Sequence, residues 1–345
     1  MRQLAHRYAN GVAAVSVSAI ALTIGDPNGI GPEIAVKAAA QTARAGGPSI
    51  ILVGDQYVVR ACAERYAGDF AVHSFDGSAP RAGVLTVKGV DSLPSAAFNP
   101  GTPVAEGGRA TVDYVAAAIR LVNEGHASAI VACPHSETNV NAAGIPFSGY
   151  PGLLARLTNR PEDHVFLMLV GGGLRIVHVT LHERIHTALA RITPELVERA
   201  ARTADAALRQ LQVKQPRIGL FGINPHAGEN GLFGDDDDRI TVPAAKSLRA
   251  AGLQVEGPVG ADLMLGRRDF DAFVAMYHDQ GHIPVKLLAG RNSAAMSIGA
   301  GVLFASVGHG SAFDIAGKGI AEPDAVLRSL KLLSGATDLA DQAVA

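Results

Sequence analysis

Phe273-Val274-Ala275-Met276-Tyr277-His278-Asp279-Gln280-Gly281-His282-Ile283-Pro284-Val285-Lys286 decides the fold class. Its first four residues are an unbroken apolar run, which reads as a buried strand. The run stops at His, Asp, Gln and Lys, side chains with no packing reason to be there. The same layout occurs twice more. Ile218-Gly219-Leu220-Phe221-Gly222-Ile223 leads into Asn224-Pro225-His226-Ala227-Gly228-Glu229-Asn230-Gly231, and Ala129-Ile130-Val131-Ala132-Cys133 into Pro134-His135-Ser136-Glu137. In open α/β sheets chemistry gathers at the carboxyl ends of strands. The three strand ends are therefore expected to converge on one site.

Outward from these runs, strands are expected over 14–24, 49–54, 165–170 and 302–307. Helices are expected over 55–66, 105–125, 193–212, 241–251 and 323–334. Gly171-Gly172-Gly173 reads as a hairpin turn into a strand over 174–180. Alternating strands and helices argue for a mostly parallel sheet with right-handed crossovers. No internal repeat is visible.

The chain has 345 residues, room for two α/β domains or one large one. A net charge of -2 gives no electrostatic reason to expect nucleic-acid binding. Cys62 and Cys133, the two cysteines, are too far apart to suggest a disulfide framework or zinc-finger spacing. They read as buried thiols in a reducing compartment, so a cytoplasmic location is expected. Arg2 and Arg7 before an apolar stretch at 12–22 superficially resemble a signal peptide. The stretch runs straight into Thr23-Ile24-Gly25-Asp26-Pro27 with no clear cleavage site, and reads as the first strand behind a loose leader. No apolar run is long enough to cross a membrane.

His226 and His278 are the leading metal-ligand candidates. A lone histidine after a strand is usually an ordinary core or loop residue. Two at strand ends, flanked by Asn, Asp, Gln or Glu, suit imidazole ligation with hydrogen-bonded support. Lys286 reads either as a surface lysine or as a cation that grips a carboxylate or moves a proton. His135 is a candidate for substrate or metal, whereas His182, beside Glu183, is less persuasive. Asp235-Asp236-Asp237-Asp238 reads as a solvated acidic helix start rather than a metal site. Gly25-Asp26-Pro27-Asn28-Gly29-Ile30-Gly31-Pro32-Glu33 is a tight turn opening a helix; positive φ and ligand contact explain its glycines about equally well.

Gly25 to Glu33, Asn224-Pro225-His226-Ala227-Gly228-Glu229 and Tyr277-His278-Asp279-Gln280-Gly281 together resemble the 4-hydroxythreonine-4-phosphate dehydrogenase family, over about 21–333. The resemblance implies an isocitrate/isopropylmalate-dehydrogenase-like α/β fold, two α/β domains with the active site in the cleft between them. It implies NAD(P), a divalent metal on three histidines, and a homodimer with its sites near the subunit interface. Mapped onto this chain, 12–145 plus 288–340 would form the first domain and 146–287 the second. Two ligand positions carry over as His226 and His278. The third, in a Gly-His-Thr-Glu segment, falls on Tyr150 of Gly149-Tyr150-Pro151-Gly152, leaving His135 or water as substitute. The metal is expected to be zinc first, with Mg, Mn, Co and Fe as alternatives.

The family's phosphate-binding Lys, Asn and Arg fall on Lys286, Ala295 and Phe304. Phosphate needs several donors and prefers an Arg fork, so this pocket is expected to suit a flat carbon skeleton. Cys133-Pro134-His135, Phe147-Ser148-Gly149-Tyr150-Pro151, the run Ile176 to Glu183 and His278 to Pro284 are similar to a terephthalate dihydrodiol dehydrogenase branch of the family. That branch implies NAD-dependent oxidative decarboxylation of a carboxylated dihydrodiol to protocatechuate, with His135, Ser136, Lys286, Ala295 and Phe304 around the substrate. His309-Gly310-Ser311-Ala312-Phe313-Asp314 is similar to the adenosine-binding loop of isopropylmalate dehydrogenases. There, Asp314 would accept a ribose 2′-OH and repel a 2′-phosphate, favouring NAD.

Overall fold

The computed structural model describes residues 19–290 and 293–335. The leader, the 14–18 part of the expected first strand and the outer domain limits at 12 and 340 lie outside them. Twelve strands form one sheet. In chain order they are Ala19–Thr23 (β1), Ile50–Gly54 (β2), Ala71–Ser74 (β3), Val84–Gly89 (β4), Ala127–Ala132 (β5), Phe166–Gly171 (β6), Leu174–His178 (β7), Arg217–Phe221 (β8), Gln254–Val259 (β9), Ala272–Ala275 (β10), Ala294–Ile298 (β11) and Leu303–Val307 (β12). Their spatial order is β3-β4-β2-β1-β5-β12-β11-β6-β7-β10-β8-β9. The helices that matter below are Gly31–Arg44 (α1), Glu137–Ala142 (α2), Ile185–Arg191 (α3), Pro194–Gln210 (α4) and His278–Ala289 (α5). β1 and β10 are buried along their whole length, as the apolar runs require.

The sheet is mostly parallel, as expected, with an antiparallel centre. β12 with β11, β11 with β6 and β6 with β7 pair antiparallel. Short turns impose this on β6–β7 and β11–β12, because only antiparallel neighbours can be joined without a crossover. The Gly172-Gly173 turn has positive φ at both residues, and Gly299 and Gly301 do the same between β11 and β12.

Polarity along the sheet shows that the expected convergence of three strand ends cannot come from the strands alone and depends on the loops beyond them. β5 runs with β12, and β6 also runs with β12 because two antiparallel steps separate them. β7 opposes β6, while β10 and β8 run with β7. The carboxyl end of β5, which carries His135, therefore points opposite to those of β8 and β10. The division proposed between 12–145 plus 288–340 and 146–287 falls between β11 and β6, which are hydrogen-bonded neighbours. No helix of the described residues is long and apolar enough to cross a membrane.

Candidate active site

The segment after β10 is a helix, and its periodicity places His278, His282 and Lys286 four residues apart on one stripe of α5. Gln280 ties the start of that helix to two strand ends. Its amide accepts from Met276 N at 2.8 Å and donates to the Gly222 carbonyl, beyond β8, at 2.8 Å. β7 ends at His178, and the chain continues through Thr180, whose hydroxyl donates to the Met276 carbonyl, to His182. Four histidines thus gather at one end of the sheet.

His182, His278 and His282 each bring a ligand nitrogen to within 4.8 Å of the others. The His278 and His282 rings stack at 3.7 Å. Burial, and then the neighbouring His278, His182 and Lys286, push the His282 pKa down to about 4, so it stays neutral near pH 7. His278 Nδ1 lies 2.7 Å from Asp279. Neutral imidazoles with supporting hydrogen bonds are a donor set that suits zinc and related ions. The residues present therefore fit the implied divalent metal. A cavity of about 540 Å³ opens beside His182 and His278, lined also by Tyr277, Asp279, Ile185 and Ala188.

Within the single chain, His226 stands apart from this group. It occupies a left-handed conformation (φ 53°) on the loop after β8, is more than half exposed, and contacts Glu229 at 3.1 Å and the ring of Phe233. Its ligand atoms are not among those gathered with His278. Asp237 shapes this loop. It is fully buried and accepts from Ile223 N, Asn224 N and the Thr241 hydroxyl. The reading of 235–238 as a solvated helix start thus fails at Asp237, while Asp235 and Asp238 are exposed.

Tyr150 is not with the histidine group. Its ring packs against His135, Phe147 and Phe304 at centroid distances of 4.6, 5.7 and 4.7 Å. Its hydroxyl is buried without a partner, and burial followed by nearby Cys133 raises its pKa. His135 completes this aromatic box, and burial lowers its pKa to about 4. The loop bearing Phe147 connects box and histidines: the Ser148 carbonyl lies 3.3 Å from His182 Nδ1.

The remaining substrate candidates divide. The Ser136 hydroxyl caps α2, accepting from Asn139 N at 3.2 Å. Ala295 is half-buried on β11, and Phe304 is fully buried on β12. Phe304 therefore forms wall beneath Tyr150 rather than an open contact surface. The Lys286 ammonium donates to Ser293 Oγ at 2.9 Å and stands 3.6 Å from where a Cβ on Gly308 would be. It thus meets the start of the 309–314 loop.

That loop leans on Gly25–Glu33. Ile30 N donates to the Ser311 carbonyl, and a Cβ on Gly29 would lie 2.7 Å from Ser311 Cβ. Glu33 accepts from Gly319 N and Ala321 N. On the other side, Asp26 N donates to the Pro134 carbonyl and Asn139 donates to Asp26 at 2.8 Å. The glycine-rich turn is a brace between the His135 loop and the 309–314 loop. His309 and Ala312 are half-buried, Gly310 is exposed, and Ala312 has φ 41°. The Ser311 hydroxyl is buried without a partner and the Asp314 carboxylate is exposed. An orphaned donor beside an open carboxylate fits a sugar-bearing cofactor such as NAD.

The mixed twelve-stranded sheet, the grouped imidazoles and the braced loop define an α/β enzyme of the dehydrogenase type. The chain belongs to the family of pyridoxal phosphate biosynthetic protein PdxA, whose sequence model matches residues 47–333. It is 47% identical over 318 residues to the 1,2-dihydroxy-3,5-cyclohexadiene-1,4-dicarboxylate dehydrogenase of Comamonas sp, covering 91% of this chain and 96% of that one. The crystal structure of a terephthalate 1,2-cis-dihydrodiol dehydrogenase from Burkholderia xenovorans LB400 aligns with a TM-score of 0.75 at 53% identity, covering 93% and 98% of the two chains. A 4-hydroxythreonine-4-phosphate dehydrogenase from Burkholderia phymatum aligns with a TM-score of 0.81 at 35% identity, covering 92% and 98%.

Proposed function

We propose that this protein oxidises a cis-dihydrodiol dicarboxylate, terephthalate dihydrodiol, with NAD and a divalent metal, giving protocatechuate, CO2 and NADH. The observation that carries the reading is the 47% identity to a dihydrodiol dicarboxylate dehydrogenase across 91% of the chain. The pocket agrees with it. Where the family's phosphate grip needs Asn and Arg, this chain has Ala295 and the fully buried Phe304, so Lys286 is left to hold an anion. A phosphate dianion is poorly served by one ammonium, whereas a carboxylate is well served.

In the proposed reaction, hydride passes from the hydroxyl-bearing ring CH to the nicotinamide carbon, and the hydroxyl proton leaves to a base. The resulting β-keto acid loses CO2; the electron pair of the broken C–C bond becomes the enolate, which takes a proton on oxygen as the ring turns aromatic. His182, His278 and His282 are proposed to hold the metal, which when bound supplies Lewis-acid polarisation of the substrate oxygens. Lys286 grips a substrate carboxylate at the mouth of the 309–314 loop and orients the ring. His135, kept neutral by burial, presents an uncharged acceptor and serves as the candidate base. His309 to Ala312 take the adenosine, and Asp314 the ribose hydroxyls. The protein works as a homodimer with its sites near the interface.

A phosphorylated hydroxy-acid substrate is the second reading. The higher TM-score to the 4-hydroxythreonine-4-phosphate dehydrogenase favours it. NADH formation with the diol and with 4-phosphohydroxythreonine, each with and without chelator, separates the two. Diol turnover that chelator abolishes is expected; turnover of the phosphate ester alone would reverse the assignment.

A further inference from the structure

A cavity of about 500 Å³ lies between α4 and the turn that joins β11 to β12. It is on the other side of the sheet from α5. Val285 of α5 packs with Leu169 and Ile176, whereas Met168 and Val177, which alternate with them, belong with Val197 of α4. Small residues make the room. Ala206 and Ala207 form the α4 wall, and Gly301, with φ 81°, brings the turn in without a side chain. The base is apolar: Ala207, Ile298 and Val302 line it and are nearly fully buried. The volume is in the range of small-molecule sites.

Three guanidiniums stand around this base, and they differ in their partners. Arg199 is engaged by Asp163 and Arg202 by Glu198. The Arg160 guanidinium has no hydrogen-bonded or ion-paired partner among the described residues. A Cβ on Gly301 would stand 3.0 Å from Arg160 Nη2, so a glycine there lets the guanidinium lie over the turn.

We propose that this cavity binds a monocarboxylate with an apolar body, Arg160 holding the carboxylate and the apolar base carrying the rest. An open guanidinium fork matches a carboxylate with two parallel hydrogen bonds. Glu195 and Glu198 also line the cavity. They set the charge, because one open guanidinium beside two glutamates suits a single negative charge and repels a dianion such as phosphate. The site uses no residue of the proposed reaction.

The test follows the fluorine resonance of 4-fluorobenzoate during titration with the full chain, with no NAD or diol added. Saturable line broadening is expected. Arg160→Gln removes the charge from an exposed side chain and is expected to weaken binding by roughly 10–100-fold. Ala206→Leu fills the cavity from an exposed helical position and is expected to abolish binding with the thermal transition unchanged. Lys286→Met, which removes the carboxylate grip of the proposed reaction, should leave this binding in place. The uncharged isostere 4-fluorobenzamide should not bind, and inorganic phosphate should not displace the probe. No binding to the wild-type protein at millimolar probe overturns the proposal. So does wild-type affinity in Arg160→Gln and Ala206→Leu, or loss in Lys286→Met alone. Equal binding of the benzamide, or displacement by phosphate, overturns the carboxylate assignment. None of these readouts depends on turnover, so a wrong substrate for the catalytic site leaves them intact.

Discussion

A proton on His135 would place a charge among the rings of Phe147 and Tyr150, and burial therefore lowers its pKa from 6.5 to about 4. The consequence for stability has a definite sign. Between about pH 6.5 and about pH 4 the unfolded chain binds a proton at this residue that the folded chain refuses, so acid favours unfolding. The contribution is fully present above pH 6.5 and is lost as pH falls to about 4, on the order of 2 kcal/mol for a group this buried. His178 and His282 are shifted in the same direction. The contribution of His135 is isolated by His135→Phe, which keeps a ring in the box and removes the titration. Urea midpoints measured with chelator from pH 7 to pH 4 should fall less steeply in the variant. Parallel curves for the two proteins would mean that His135 is solvated in the folded state.

At the scale of elements, the glycine-rich turn at 25–33 shows what was legible in the sequence and what was not. Its tightness was legible: Gly25 has φ 70°, and a Cβ there would lie 2.1 Å from the Pro134 carbonyl oxygen. Its purpose was not, because a brace is defined by the segments it touches, and those lie about 100 and 280 residues away in sequence. The site histidines divide in the same way. His278 announced itself by following a buried strand. His282 and His178 did not, since their meeting depends on Gly281-His282-Ile283-Pro284 being helical. Pro284 argues against a helix because it lacks the N–H that would pair with the Gln280 carbonyl, yet α5 forms through it. His182 was undervalued because Glu183 beside it reads as the start of a solvated helix, although that side chain is only 17% exposed. The apolar strands were read correctly where burial alone decides. Of the antiparallel centre, the β6–β7 hairpin was legible in Gly171-Gly172-Gly173, whereas β11 was missed because Ala-Ala-Met-Ser-Ile carries little pattern of its own. The brace makes a further prediction. Gly29→Ala drives a Cβ against Ser311 Cβ and carbonyl, at 2.7 and 2.8 Å, and both belong to the proposed cofactor loop. Displacing that loop is expected to cost roughly 1–2 kcal/mol of cofactor binding, a rise of about 5–30-fold in the NAD KM. Zinc affinity should be unchanged, because the histidines hang from other strands. A normal NAD KM would show that the 309–314 loop does not hold the cofactor.

Across the whole molecule, the helix that carries the histidine stripe also carries an apolar one on another side. Ile283, Leu287 and Leu288 of α5 are 53%, 81% and 39% exposed. Ile185 and Leu189 on α3, the helix that follows His182, are 50% and 40% exposed. Large side chains left open on two helices flanking one site are costly in water, at about 25 cal/mol per Å² of apolar surface. The proposed homodimer supplies a cover for them. Placing a carboxylate in such an interface without a partner costs several kcal/mol. Leu287→Asp, an exposed position in the single chain, should therefore leave the fold and its thermal transition nearly intact while converting the protein to a monomer in sedimentation velocity. Because α5 holds His278, His282 and Lys286 on its other stripe, the monomer should also lose turnover more than it loses zinc. A variant that sediments as a dimer would place the interface elsewhere. A wild-type protein that is already monomeric at assay concentration would remove the dimer from the proposal and leave this apolar face without its cover.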